Sequence, residues 1–424
     1  MSLLGKIFKS EDNNKNIFVQ IASYRDPEVV PTVRDLLSNA DKPENLRICI
    51  ANQFNENDGF SLDEFREDPR FNIIDIPYYT TKGVCWARNL LNQNYSGEKY
   101  TLQIDSHHRF IKGWDTELIN MLEGLISEHV KKPLLTAYVP SYNPGNDPKD
   151  RVQVPWQLNF DKFIPEGAVF TLPSEMEKRD IPRRTQFFSG HFAFTLGRFC
   201  RDVPYDPNLY FHGEEITMAA RAFTNGYDMF SPHKVILWHE YTREGRVKQW
   251  DDDKEWHVKN NLSHDRVRKI LGIDGKSCSP CMKKSMGVYY LGKERSNNDY
   301  EQFAGLHFAT RGVTTDTLNH VEPNIVKTKH YYKQFYQTQH WNIMFHKEIL
   351  QGNVDFDFWA IILLDDQNVE IYRTDLDSQT VKSILSDKNE ILNLNGQYQG
   401  RKWSRWVVWP HKDQWLNKIE GIKS

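Results

Sequence analysis

Apolar positions in the first half of the chain follow two alternating rhythms. "IFVQIASYRDPE" opens with Ile17, Phe18, Val19, Ile21 and Ala22, a short apolar run that predicts a buried strand ending in a polar turn. In "VVPTVRDLLSNA", Val30, Val33, Leu36 and Leu37 keep helical spacing. "LRICIANQ" and "RFNIIDIPYY" then read as strands, "GVCWARNLLNQ" as a helix and "KYTLQID" as a further strand. Strands alternating with helices predict an α/β fold with a mostly parallel sheet covered on both faces. Later, "FFSGHFAFTL" reads as a return strand. Ile216, Ala219, Ala220 and Phe223 mark a helix face that Gly226 is placed to stop, and "KVILWHEYTR" is a strand ending on Trp238, His239 and Glu240.

The pattern changes towards the C-terminus. "DDDKEWHVKNNLSHDRVRKILGI" predicts a helix. "DFWAIILLDDQNVEIYRTDLD" reads as a hairpin around Asp365 to Asn368, "SQTVKSILSDKNEI" as a helix with Ser378 as its N-cap, and "RKWSRWVVWP" as another strand. The expected organisation is a flexible tail over 1–15, an α/β sheet domain over 16–275, a connecting or lid segment over 276–330, and a small α+β module over 331–424. Trp403, Trp406, Trp409 and Trp415 in that module read either as core or as a stacking surface for carbohydrate.

Composition narrows the partners. The 424 residues carry a formal net charge of -3, which argues against a general binder of nucleic-acid backbones. Cys49, Cys85 and Cys200 lie in apolar stretches and read as reduced core residues, while the single "CSPC" at Cys278 and Cys281 lacks the second pair that zinc needs. No stretch is long and apolar enough to span a membrane, and Leu3, Leu4, Ile7 and Phe8 leave room only for a surface touch. A cytoplasmic protein without a membrane span is expected, with homodimerisation left open.

Candidate chemistry gathers where strands end. In open sheets of this kind, ligands sit outside the carboxyl ends of the strands. Ser23, Tyr24, Arg25 and Asp26 lie at one such end, and Asp105, Ser106 and His107 at another. Residues i and i+2 of an extended segment point the same way, so Asp105 and His107 aim a carboxylate and an imidazole at one point. Nucleotide phosphates and water complete the shell of a divalent ion, so few protein ligands are needed, and mixed Asp/His ligation favours Mn²⁺ over Mg²⁺. His239 is the third candidate ligand, and His108 points away or supports a neighbour. Glu214 and Glu215 in "HGEEI" either complement a helix dipole or hold a sugar hydroxyl or the acceptor, with no choice between them from sequence. Arg88 and Arg25 suit phosphate or uracil contacts and equally suit ion pairs. No P-loop or dinucleotide fingerprint is present.

Taken in order, "IFVQIASYRDPE", "GVCWARN", "LQIDSHHRFIKGWD", "FFSGHFAF", "FHGEEITMAARAFTNGYDMFSP" and "HEYTR" resemble the GlcNAc-transferase family, which includes cytosolic polypeptide (hydroxyproline) α-N-acetylglucosaminyltransferases. The resemblance implies a GT-A fold, a UDP-sugar donor and retaining transfer. By likeness to the related mucin-type polypeptide GalNAc-transferases and their Asp-Ser-His motif, it implies Mn²⁺ (or Mg²⁺) at Asp105, His107 and His239. It also implies sugar contacts from Gly213, Glu214 and Glu215, a donor-binding role for Arg88, Asp105 and Ser106, and uridine held by the strand end Ala22, Ser23, Tyr24, Arg25 and Asp26. The expected function is therefore UDP-sugar-dependent hexosyl or N-acetylhexosaminyl transfer, most simply of GlcNAc, to a hydroxyl on a protein or glycan. The competing readings are a UDP-sugar-binding protein without turnover and a metal-dependent hydrolase.

Overall fold

The computed structural model describes residues 16–242, 245–324, 332–333, 337–387, 389–400 and 402–423. The expected tail, its apolar residues Leu3, Leu4, Ile7 and Phe8, and Arg243 of "HEYTR" lie outside the described residues. Among the described residues, no helix is long and apolar enough to cross a membrane.

Internal contacts divide the chain into two compact units, Met1–Asn159 with Leu172–Asp253 and Cys281–Tyr300, and Phe160–Thr171 with Lys254–Pro280 and Glu301–Ser424. The first contains β1 (Ile17–Tyr24), α1 (Val29–Asn39), β2 (Leu46–Phe54), β3 (Phe71–Pro77), α2 (Val84–Asn92), β4 (Tyr100–Asp105), β5 (His108–Phe110), α3 (Trp114–Ser127), β6 (Pro133–Thr136), β7 (Arg183–Arg184), β8 (Phe192–Leu196), α4 (Glu214–Thr224), β9 (Asp228–Ser231) and β10 (Leu237–His239). An 8-stranded sheet has the order β3-β2-β1-β4-β8-β6-β9-β7. Only β8 and β7 run against the others. This is the α/β, mostly parallel sheet expected for a GT-A chain.

Alternation along β1 explains its continuous apolar run. Ile17, Val19 and Ile21 face Val29, Val33 and Leu36 of α1 and Trp114, Leu118 and Leu122 of α3 in one core. Phe18 joins Ala87 and Leu91 of α2 in another core on the opposite face. A strand covered on both faces can leave few positions polar. The free thiols of Cys49, Cys85 and Cys200 are buried here, as their apolar settings predict.

Two pairings bring the polar strand ends together. β1 and β4 run parallel with Ala22 opposite Asp105, so the turns after both strands open at the same rim. The chain then reverses into β5, which pairs antiparallel with β10 and sets His239 opposite His108.

The second unit contains α5 (Trp256–Leu271), β11 (Gln337–His346), β12 (Phe358–Leu364), β13 (Glu370–Asp377), α6 (Ser378–Ser386), β14 (Ile391–Gly400), β15 (Arg405–Lys412) and β16 (Ile419–Ile422). The expected hairpin is β12–β13. The cap of α6 falls one residue earlier than expected: Asp377, not Ser378, accepts from the Thr380 N–H. The aspartate ends β13 with extended backbone, the conformation an N-cap requires, while Ser378 is already in the helix. Trp403 and Trp406 lie in the core with Trp341 and Trp359. Trp409 and Trp415 are partly buried beside Phe358 and Trp256.

Candidate active site at the strand rim

Asp105, His107 and His239 each turn one ligand atom towards a common point, and these atoms all lie within 4.8 Å of one another. Asp105 Oδ2 is 3.9 Å from His107 Nε2 and 3.6 Å from His239 Nε2. Both are too long for good hydrogen bonds. His239 is only 6 % exposed, yet neither of its ring nitrogens has a hydrogen-bond partner. Two orphaned nitrogens on a buried ring cost stability unless something binds there. Burial also drives the His239 pKa well below the usual imidazole value, against the pull of Asp105, so the ring stays in the neutral form that ligates metals.

The supporting shell fits the same purpose. His107 Nδ1 lies 2.7 Å from Asp26 Oδ2. Arg246 Nη1 lies beside the same nitrogen, so Nδ1 is engaged from two sides and Nε2 is the nitrogen left facing Asp105. Asp26 Oδ2 also accepts from Ser106 Oγ at 2.7 Å and from Arg246 Nη1 at 3.1 Å. Ser106 thus turns to Asp26, and His108 is fully buried outside the three-ligand cluster.

Arg88 organises the other side. It is 3 % exposed and forks between two acids, donating through Nη2 to Asp105 Oδ1 at 2.8 Å and through Nη1 to Glu214 Oε1 at 2.7 Å. Burial pushes the Asp105 carboxyl up, but the Arg88 guanidinium outweighs it and holds the group well below the usual carboxylate range. The Cys85 thiol donates to Glu214 Oε2 at 2.9 Å.

The adjacent acids of "HGEEI" diverge. Glu214 is ion-paired with Arg88, whereas Glu215 accepts from the Tyr138 hydroxyl at 2.6 Å and from the Gly190 N–H at 2.8 Å. Burial pushes the Glu215 carboxyl up to about 7 from 4.5, although both donors oppose the rise. The folded state therefore holds this proton more tightly than the unfolded chain. The associated stability is present below about pH 4.5 and is lost as pH rises through about 7. Glu215→Gln should abolish that part of the pH dependence, on the order of 3 kcal/mol at about 1.4 kcal/mol per tenfold change in proton affinity. Urea unfolding of both proteins at pH 4.5 and 8 checks it; parallel pH profiles would contradict it.

Gly190 must be small. A Cβ there would fall on Glu214 Oε1 and on Arg88 Nη1. Gly190→Ala should break the Arg88–Glu214 fork and cost about 1–3 kcal/mol, measured by denaturation. Unchanged stability would mean that the fork can shift at no cost.

Of the residues expected at the uridine end, Ser23 is fully buried and Ala22 sits opposite Asp105. Tyr24 donates to Asp252 at 2.7 Å. Arg25 takes a left-handed backbone conformation, φ 49°, and pairs with Asp58 at 2.7 Å and Asp252 at 2.9 Å. Sequence reasoning assigned no role to His191, Tyr138 or Arg246, and no supporting role to Asp26. His191 had a readable signal: an antiparallel return strand begins at the rim where its parallel neighbours end, and His191 immediately precedes β8.

The mostly parallel α/β sheet thus carries acids, imidazoles and a buried arginine at its carboxyl rim, as expected for a GT-A chain. The chain belongs to the family described as Glycosyltransferase (GlcNAc), whose model matches residues 16–69 and 60–310. No curated protein sequence matches the chain. Among solved structures, GalNAc-T7 with UDP, GalNAc and Mn²⁺ is similar at 13% identity, over 72% of this chain and 60% of that one, with a TM-score of 0.47. The chain thus spans less than two thirds of GalNAc-T7. TarS 1-349 of S. aureus with UDP-GlcNAc is similar at 12% identity, over 60% of this chain and 70% of that one, with a TM-score of 0.36.

Proposed function

We propose that the chain is a metal-dependent, retaining glycosyltransferase that moves a sugar, GlcNAc by family membership, from a UDP-sugar to a hydroxyl of a protein or glycan. The carrying observation is the convergence of Asp105, His107 and His239 at the strand rim, with the His239 ring nitrogens unpaired. One carboxylate and two imidazoles suit Mn²⁺ better than Mg²⁺. Bound there, the ion would act as a Lewis acid and stabilise charge on the departing diphosphate.

The chain's own groups do the rest. Arg88 keeps Asp105 ionised and fixes its direction. Ala22, Ser23, Tyr24 and Arg25 border the place for uridine, where Arg25 would exchange a carboxylate for the ligand. Glu215, held by Tyr138 and Gly190, would meet a sugar hydroxyl, while Glu214 braces Arg88.

Retention through a covalent intermediate needs a carboxylate nucleophile. Asp105 and Glu214 are held by Arg88, and Glu215 by its two donors, which supports a front-face route instead. The acceptor oxygen bonds to the anomeric carbon on the face that UDP leaves. The anomeric carbon–oxygen bond to UDP breaks, and the acceptor proton passes to the departing phosphate oxygen. Incubation with a panel of UDP-sugars and Mn²⁺, with and without a chelator, tests the reading. UDP release that needs metal and prefers UDP-GlcNAc is expected; binding without release would contradict it.

A further inference from the structure

Metal-ligating histidines are commonly held by a hydrogen bond from the second ring nitrogen to a carboxylate or carbonyl. His107 has such a partner in Asp26. His239 does not: its Nδ1 is buried and unpaired. Its backbone is well fixed, since the His239 N–H donates to Pro140 O at 3.0 Å and its carbonyl accepts from the Tyr142 N–H at 3.3 Å. Those bonds leave the side-chain torsions undetermined. Rings supply what hydrogen bonds do not. His191 stacks on His239 with centroids 4.2 Å apart and planes 21° from parallel. The edge of Tyr241 closes the cage at 4.3 Å.

His191 is itself rigidly held. It is 7 % exposed, and its Nε2 accepts from the Val139 N–H at 3.2 Å and faces the Tyr241 hydroxyl at 3.3 Å. That hydroxyl donates to Val139 O at 2.8 Å. Its acceptor nitrogen is therefore occupied by the backbone, and the ring plane is what it offers to His239.

We infer that His191 is a positioning residue for the His239 ligand, replacing the missing hydrogen bond by ring stacking. The inference rests on the metal reading above and adds a residue that reading does not require. It predicts that the flat ring matters for metal affinity and that the ring nitrogen does not.

Two substitutions separate these roles in the full chain. His191→Gln keeps an acceptor for the Val139 N–H but has no ring. His191→Phe keeps the ring but leaves that N–H unpaired. Mn²⁺ affinity, read by calorimetry and by the spin-resonance signal of free Mn²⁺, should fall about tenfold or more in the Gln variant, the scale of loss seen when ligand-orienting groups are removed. The Phe variant should stay within about threefold of the unaltered chain, because an aromatic pair is retained. Its melting temperature should fall all the same, which separates affinity from stability. The opposite ranking, Gln binding normally and Phe weakly, would overturn the inference and leave His191 as a brace for Val139. His239→Ala serves as the control on the metal itself: if it binds Mn²⁺ as tightly as the unaltered chain, the metal reading fails and the inference falls with it.

Discussion

Asp105→Ala is expected to lower sugar transfer by at least about a thousandfold while the chain stays folded, the scale set by losing several kcal/mol of charge stabilisation from a catalytic metal. The two oxygens of Asp105 serve different partners. Oδ1 accepts from Arg88, and Oδ2 faces both His107 and His239. Removing the carboxylate takes away the only anionic ligand of the cluster, yet Arg88 keeps Glu214 as partner, so no buried cation is stranded. Activity and folding should therefore separate. Radiolabelled transfer and near-ultraviolet circular dichroism on the same preparation test this, and undiminished transfer would sink the metal assignment.

Arg88→Met should have the largest effect on stability. The guanidinium is buried between Asp105 and Glu214, and without it two acids share a site with no cation between them. Breaking such a buried pair from one side costs about 3–5 kcal/mol. Adding Glu214→Gln to Arg88→Met should recover a good part of the loss, because it removes one of the orphaned charges. Arg88→Lys should fall between, since an ammonium lacks the planar fork that serves both carboxylates. Urea unfolding reads all three. An Arg88→Met variant as stable as the parent would mean that the fork contributes nothing, and a double variant no better than the single would mean that charge is not the cause.

Much of this arrangement was legible because it depends on local pattern. The apolar run of β1, the helical spacing of α1 and the acid–x–imidazole step after β4 are short-range signals, and parallel topology then assigns the carboxyl ends of β1 to β4 to one rim. His239 could be proposed as a third ligand because it too ends an apolar run. What sequence could not give was pairwise geometry. Adjacent Glu214 and Glu215 are chemically alike, and only the fold sends one to Arg88 and the other to Tyr138 and Gly190. Asp26 was visible at a strand end, but its bond to His107 depends on a contact 81 residues away in sequence. The N-cap of α6 slipped by one position because Asp377 and Ser378 are both good caps, and the end of β13 decides between them. His191 was passed over because a histidine before an apolar strand has no periodic signal of its own.

The central claim is that one carboxylate and two imidazoles from this rim hold the metal that carries the diphosphate. Electron spin echo spectroscopy of Mn²⁺ bound to the full chain with UDP addresses it directly. Couplings from two imidazole nitrogens and from phosphorus are expected, with one nitrogen coupling lost in His107→Ala and the other in His239→Ala. Mn²⁺ that binds with phosphorus coupling but no nitrogen coupling would contradict the account.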